Sequence, residues 1–144
     1  MLQEMEEITS QPRLSALSQS SCFVCGPDNP RGLRLRFEQT QPGEMIAEWA
    51  PDADVEGFRG IIHGGIISTV LDESMAKAVA AAGVEALTAE LRVRLRRHLA
   101  TGTNVRVRGW IDSRNKRMIK TEAALTGPDG TEFAHAWAIF LVLK

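Results

Sequence analysis

The sequence contains no tyrosine, two cysteines and three histidines in 144 residues. With aromatics at 6%, there is little surface on which unpaired bases could stack, so nucleic acid is not an expected partner. Two cysteines cannot build a disulfide framework, and residues 1–20 carry early acids without the apolar core of an export signal. The expected compartment is therefore the cytoplasm. No apolar run approaches the roughly 18 residues of a membrane span; the longest, near the C-terminus, is interrupted by His135. A membrane is not expected as a partner.

Hydrophobic residues make up 44% of the chain, enough for one ordinary domain with its own core. The charge is unevenly spread. Residues 1–56 carry 10 acids against 4 bases, and residues 57–144 carry 8 against 13. Within 92–120 stand Arg92, Arg94, Arg96, Arg97, Arg106, Arg108, Arg114, Lys116, Arg117 and Lys120, with Asp112 the one acid among them. Such a sector attracts anions, although a solvated outer sheet face would read the same way.

Residues 1–30 are polar and hold Pro12, Pro27 and Pro30, which reads as an arm or cover preceding a domain over 31–144. Leu33, Leu35 and Phe37 alternate with Arg34, Arg36 and Glu38, the period of a half-buried strand. Met45–Trp49 reads as a second strand, reached through Pro42-Gly43. Residues 64–82 are Ala-rich, lack proline and stop at Gly83, a helix with its terminator. Apolar groups lie nearly all round it, as on a helix wrapped by other structure. Four further strands are expected over 87–98, 103–112, 117–126 and 131–143, the last two joined by a Gly127-Pro128-Asp129-Gly130 turn. In the last, Ala134, Ala136 and Ala138 share one face and would let a helix approach closely. The fold class is α+β, in the order β-β-α-β-β-β-β, with one antiparallel sheet curled round one long helix.

On a helical wheel starting at Gly64, the residues Gly65, Ser68, Asp72, Ala76 and Thr69 fall between roughly 40° and 160°. That face is small and polar and carries one carboxylate. Glu73 lies beyond it, with Lys77 one turn on in the favourable orientation for pairing; Asp72 has no such partner. A carboxylate on a buried face is costly unless bonded, so Asp72 is either a bonded structural acid or a functional one. His63-Gly64-Gly65 opens the helix, where first-turn N–H groups lack intrahelical acceptors at the positive end of the dipole. Such a terminus can hold an oxyanion or a tight turn. Gly64 and Asp72 are about 12 Å apart along the axis. A reacting carbonyl must lie about 3 Å from its donor and its attacking group. One helix cannot serve both, so a site using both residues needs two antiparallel copies, at the interface of a dimer.

The segments FRGIIHGGIISTVLDE (58–73) and LTAELRVRLRRHL (87–99) resemble hotdog-fold acyl-CoA thioesterases of the phenylacetate-degradation and 4-hydroxybenzoyl-CoA thioesterase superfamily. The likeness spans about residues 30–144. It implies acyl-CoA as substrate and a homodimer, or a dimer of dimers, whose sheet runs on through both subunits. It also implies that the Gly64 N–H polarises the thioester carbonyl and that Asp72 serves as base or nucleophile. Thr88 would position the water, and His63 would make a second polar contact near the carbonyl. Where the family strand usually reads tyrosine, arginine, proline, this chain has Arg96-Arg97-His98, a departure at the edge of the substrate channel. Gly65 and Ser68 are further substrate-binding candidates, and Arg97, Arg114, Lys116 and Arg117 are candidates for the CoA phosphates. His98 and His135 read as ordinary strand residues.

Cys22-Phe23-Val24-Cys25-Gly26, followed by Asn29-Pro30-Arg31-Gly32-Leu33, resembles the opening of one subgroup of these proteins. Zinc ordinarily takes a second pair of ligands, and no second C-x-x-C exists. The expectation is no metal and no cofactor, with two free thiols in a packed turn. Two other functions fit the fold: a non-catalytic acyl-CoA-binding protein, and a dehydratase or hydratase pairing a histidine with an acid.

Overall fold

A computed structural model describes residues 19–143. Its elements are β1 (Glu38–Gln41), β2 (Glu44–Trp49), a 3-10 turn (Ala53–Val55), α1 (Gly64–Ala81), β3 (Ala86–Leu95), β4 (Val105–Asn115), β5 (Met118–Thr126) and β6 (Glu132–Val142). The strands form one sheet in the order β1-β2-β4-β5-β6-β3, antiparallel at every pairing. The sheet curls about α1, which is the hotdog arrangement.

The inner face of α1 buries Ile67, Val70, Leu71, Met75, Ala78 and Val79. Ala134, Ala136 and Ala138 of β6 are buried in the same core, as their alternation implies. The closest approach is on β4. A Cβ on Gly109 would lie 2.4 Å from the Ser74 carbonyl carbon and oxygen and 2.7 Å from the Met75 nitrogen. The helix backbone thus rests on the sheet at the one residue that has no side chain. Gly83 ends α1 with a φ of 78°, the left-handed stop that glycine adopts without cost.

Two strands depart from the sequence expectation. β3 stops at Leu95, so Arg96, Arg97 and His98 lie outside it and His98 is not a strand residue. The first strand is displaced. Leu35 is buried, and Leu33 and Phe37 pack against the core, so the alternation reports burial correctly. However, residues 33–37 do not join the sheet, and strand pairing begins at Glu38. Arg34 takes a φ of 55°, which breaks an extended ladder. The N–H groups of Leu33 and Leu35 turn to the carbonyls of Phe23 and Val24, both at 2.8 Å. Residues 22–25 and 33–35 are therefore bonded to each other, with Val24 in the core. The part of the expected arm before Gln19 lies outside the described residues.

Candidate active site

α1 begins with an unusual cap. His63 is the N-cap residue, and its Nδ1 accepts the Gly65 N–H at 2.9 Å. The N–H groups of Ile66 and Ile67 go to the His63 carbonyl, at 3.0 and 3.1 Å. Of the four first-turn donors, the Gly64 N–H alone has no acceptor among the described residues. Because Nδ1 is an acceptor, the neutral imidazole carries its proton on Nε2 and is a donor there.

Gly57, Phe58, Ile61, Ile62, His63, Gly64 and Leu95 line a cavity of about 640 Å³, together with Arg96, Arg97 and His98. Its wall is built by a loop that doubles back on itself, Glu56 bridging to Ile62 and the Ile61 N–H closing a turn onto the Phe58 carbonyl. Glu56 holds that loop, its Oε2 accepting the Gly60 N–H at 3.0 Å and the Thr101 hydroxyl at 2.6 Å. Phe58 is 83% exposed and Leu95 50%, large apolar surfaces beside an open backbone donor. Neither residue stands out in the sequence, since an exposed apolar side chain carries no periodic signature.

Asp72 lies two turns along α1, half-buried on the same face as Ser68. Thr88 on β3 donates its hydroxyl proton to Asp72 Oδ1 at 2.8 Å. The pairing of β3 with β6 slips by one residue between Thr88 and Glu90, a bulge of the kind that re-aims a side chain beside a site. Burial raises the Asp72 carboxyl above its ordinary range; the Thr88 bond opposes this, and the nearby Glu73 charge adds to it. Glu73 points elsewhere. Its Oε1 lies 3.9 Å from Lys77 Nζ and 3.8 Å from the Cys22 thiol, which donates to it. The two adjacent acids thus serve different neighbours, as the wheel implies.

The remaining candidates separate. Ser68 donates to the Gly64 carbonyl at 2.9 Å and Thr69 to the Gly65 carbonyl at 2.8 Å, so both hydroxyls point their protons back down the helix. Arg97 and His98 lie beyond the end of β3 and line the cavity with His63 and Gly64. Arg114, Lys116 and Arg117 sit at the β4–β5 hairpin, where Met118 pairs opposite Leu141. That is the other end of the sheet from Leu95, which pairs with Ala134. Several bases of the 92–120 sector are engaged on the sheet: Arg96 with Glu132, Arg106 with Glu48, Arg108 with Glu44. His135 lies between Trp110 and Trp137 and bonds Glu122 and Glu132, away from the cavity.

Cys22 and Cys25 are free thiols. Burial, with the Cys22 thiol and the Glu73 charge adding to it, pushes Cys25 up to about 12. A thiol so protonated at neutral pH is a poor nucleophile.

A sequence model of the thioesterase superfamily matches residues 59–134, a span that includes His63, Gly64, Asp72 and Thr88. The chain belongs to the thioesterase superfamily. Solved structures share the fold. A protein of the thioesterase superfamily superposes with a TM-score of 0.79 at 24% identity, covering 82% of this chain and 61% of that one. This chain thus spans less than two thirds of that relative's length. A hypothetical thioesterase with coenzyme A from Streptococcus pneumoniae gives 0.71 at 15% identity over 75% of this chain and 84% of that one. The E. coli PaaI protein from the phenylacetic acid degradation operon gives 0.73 at 13% identity over 78% and 81%. No curated protein matches the sequence. Among the described residues, no helix is long and apolar enough to cross a membrane.

Proposed function

We propose that this chain hydrolyses an acyl-CoA thioester to the free acid and CoA, at two equivalent sites in a homodimer. The observation that carries this reading is the Thr88–Asp72 bond at 2.8 Å, which fixes a raised carboxylate on the open face of α1. The catalytic domain is 31–144, and of the segment that precedes it residues 22–25 are bonded to 33–35, with Val24 in the core.

In each site the Gly64 N–H of one protomer polarises the carbonyl, with His63 Nε2 as a second donor. Asp72 of the other protomer acts as general base or as nucleophile. In the general-base form, water gives one proton to Asp72 and its oxygen attacks the carbonyl carbon. Thr88 has committed its own proton to Asp72, so it offers the water an acceptor and holds it in line. The tetrahedral oxyanion rests on Gly64, the C–S bond breaks, and the proton on Asp72 passes to the departing thiolate. Arg97 at the cavity meets CoA phosphate. The basic hairpin of Arg114, Lys116 and Arg117, at the far end of its own sheet, reaches the site headed by the partner's Gly64. Ser68 and Gly65 shape the face along which the thioester lies.

Two features support a dimer. β3 is an edge strand of ten residues with Leu91 and Leu95 exposed among Glu90, Arg92 and Arg94, and its outer edge is unpaired within the chain and open to a second strand. The face of α1 bearing Gly65, Ser68 and Asp72 is likewise only partly covered within one chain. The decisive measurement is thiol release from short, medium, long and aromatic acyl-CoAs. Turnover on at least one class is expected; binding of acyl-CoA without thiol release from any class would replace the hydrolase with a non-catalytic binding protein.

A further inference from the structure

The thioester chemistry leaves one cluster unused. Cys22 and Cys25 lie in a C-x-x-C-G turn that the Gly26 N–H closes onto the Cys22 carbonyl at 2.8 Å. A Cβ on Gly26 would lie 2.4 to 2.6 Å from the backbone of Cys22 and Ser20. Only glycine closes this turn, and closing it brings both sulfurs to the side facing α1. There stands Glu73, 51 residues on from Cys22. The two sulfurs and a Glu73 carboxylate oxygen lie within 4.8 Å of one another, all three residues being half-buried.

This donor set suits a particular class of ion. Tetrahedral zinc, with bonds of about 2.3 Å to sulfur and 2.0 Å to oxygen, separates neighbouring ligand atoms by roughly 3.5 Å. The Cys22 sulfur and Glu73 Oε1 are already 3.8 Å apart. Two thiolates exclude magnesium and calcium, which take oxygen ligands, and favour zinc or its softer analogues. Charge also balances: two thiolates and a carboxylate exceed a divalent ion by one negative charge, and the Lys77 ammonium stands 3.9 Å from the Glu73 carboxylate. The sequence expectation of no metal counted cysteines and histidines; the third ligand comes from the helix.

We propose that Cys22, Cys25 and Glu73 bind one zinc-class divalent ion, with water completing its shell. Binding releases the thiol protons to solvent and changes no oxidation state. The ion ties the cysteine turn, and through Leu33 and Leu35 the residues that follow it, to the helix that carries Asp72. It lies beside the reaction and takes no part in it.

The test uses the full chain, reduced and stripped of metal, titrated with cobalt(II). One equivalent should give the visible bands of tetrahedral cobalt and a thiolate-to-metal charge-transfer band, both bleached by zinc. Cys22→Ser and Cys25→Ser should each lose the charge-transfer band seen in the wild type. Glu73→Gln should keep thiolate ligation but weaken cobalt binding by roughly tenfold or more. Zinc should raise the melting temperature of the wild type and not of Cys25→Ser. The wild-type titration stands even if a variant fails to fold. No charge-transfer band from a wild type with two titratable thiols would overturn the site, leaving a redox pair or inert thiols. Cobalt affinity unchanged in Glu73→Gln would remove the third ligand and the proposal with it.

Discussion

Thr88 and Asp72 stand 16 residues apart, one on the edge strand and one on the helix, and meet through a hydroxyl-to-carboxylate bond of 2.8 Å. The bond works against burial, which raises the Asp72 carboxyl. Removing the hydroxyl therefore raises it further, and the basic form is lost at a higher pH as the solution is acidified. Thr88→Ala should slow hydrolysis modestly and move the acid limb of the pH–rate profile toward neutrality, with the fold intact by circular dichroism. A wild-type profile in the variant would detach Thr88 from the site.

Asp72 and Glu73 can be separated on one preparation. Asp72→Asn keeps the shape but removes the base, so turnover should fall by ~10²–10⁴ while acyl-CoA binding survives. Stability should move the other way. The folded chain disfavours the ionised Asp72, a cost absent below the ordinary value of about 3.9 and felt as pH rises through the raised folded value. Asp72→Asn should therefore melt higher than wild type at neutral pH, with the advantage fading in acid. In metal-free protein Glu73→Gln should lose about 0.2–0.5 kcal/mol of helix pairing, with turnover near normal. A dead Glu73→Gln beside an active Asp72→Asn would reverse the assignment.

What was legible in the sequence was local. The helix was marked by alanine richness and Gly83, β6 by the alternation of its alanines, and the different neighbours of Asp72 and Glu73 by about 100° of helical phase. The first strand was misplaced because alternation reports which side chains are buried, not which backbone is paired. The left-handed Arg34 sends the donors of 33–35 to the cysteine turn instead. Contacts between distant segments carry no periodic trace, so Thr88 entered through resemblance, and the approach of Glu73 to Cys22 and of Leu95 to Gly64 came only with the fold. Gly109 did carry a signal: a glycine inside an alternating strand marks a close approach, here that of the helix backbone.

The oxyanion donor can be deleted with little else. Gly64 is the first residue of α1, the position where proline is best tolerated in a helix. His63 already has the extended backbone, φ −61° and ψ 129°, that a following proline demands. A Cβ there meets only Leu95 Cδ1, at 2.7 Å, the free end of a flexible side chain. Gly64→Pro should fold, bind acyl-CoA and lose roughly 10²–10³ in turnover. His63 is tested beside it. His63→Ala should cost about 1 kcal/mol as a lost cap, and His63→Asn should restore that stability without restoring the Nε2 donor to the cavity. Full turnover in Gly64→Pro would show that another group holds the oxyanion.

The two halves of the proposed site belong to different protomers, and that arrangement has a quantitative signature. The helical rise puts Gly64 and Asp72 of one chain about 12 Å apart, so each site joins Gly64 of one protomer to Asp72 of its partner. In a twofold dimer of Gly64→Pro with Asp72→Asn, one site then holds both defects and the other holds none. Each variant alone should be nearly inactive. After equimolar unfolding and joint refolding, half of the dimers are mixed and half of their sites are intact, so activity should return to roughly a quarter of wild type. If both residues served one site within one chain, every site would keep a defect and mixing would restore nothing. The recovered activity should elute with the dimer or a larger assembly in size exclusion with light scattering. No recovery from two folded, co-assembling variants would end the cross-protomer site.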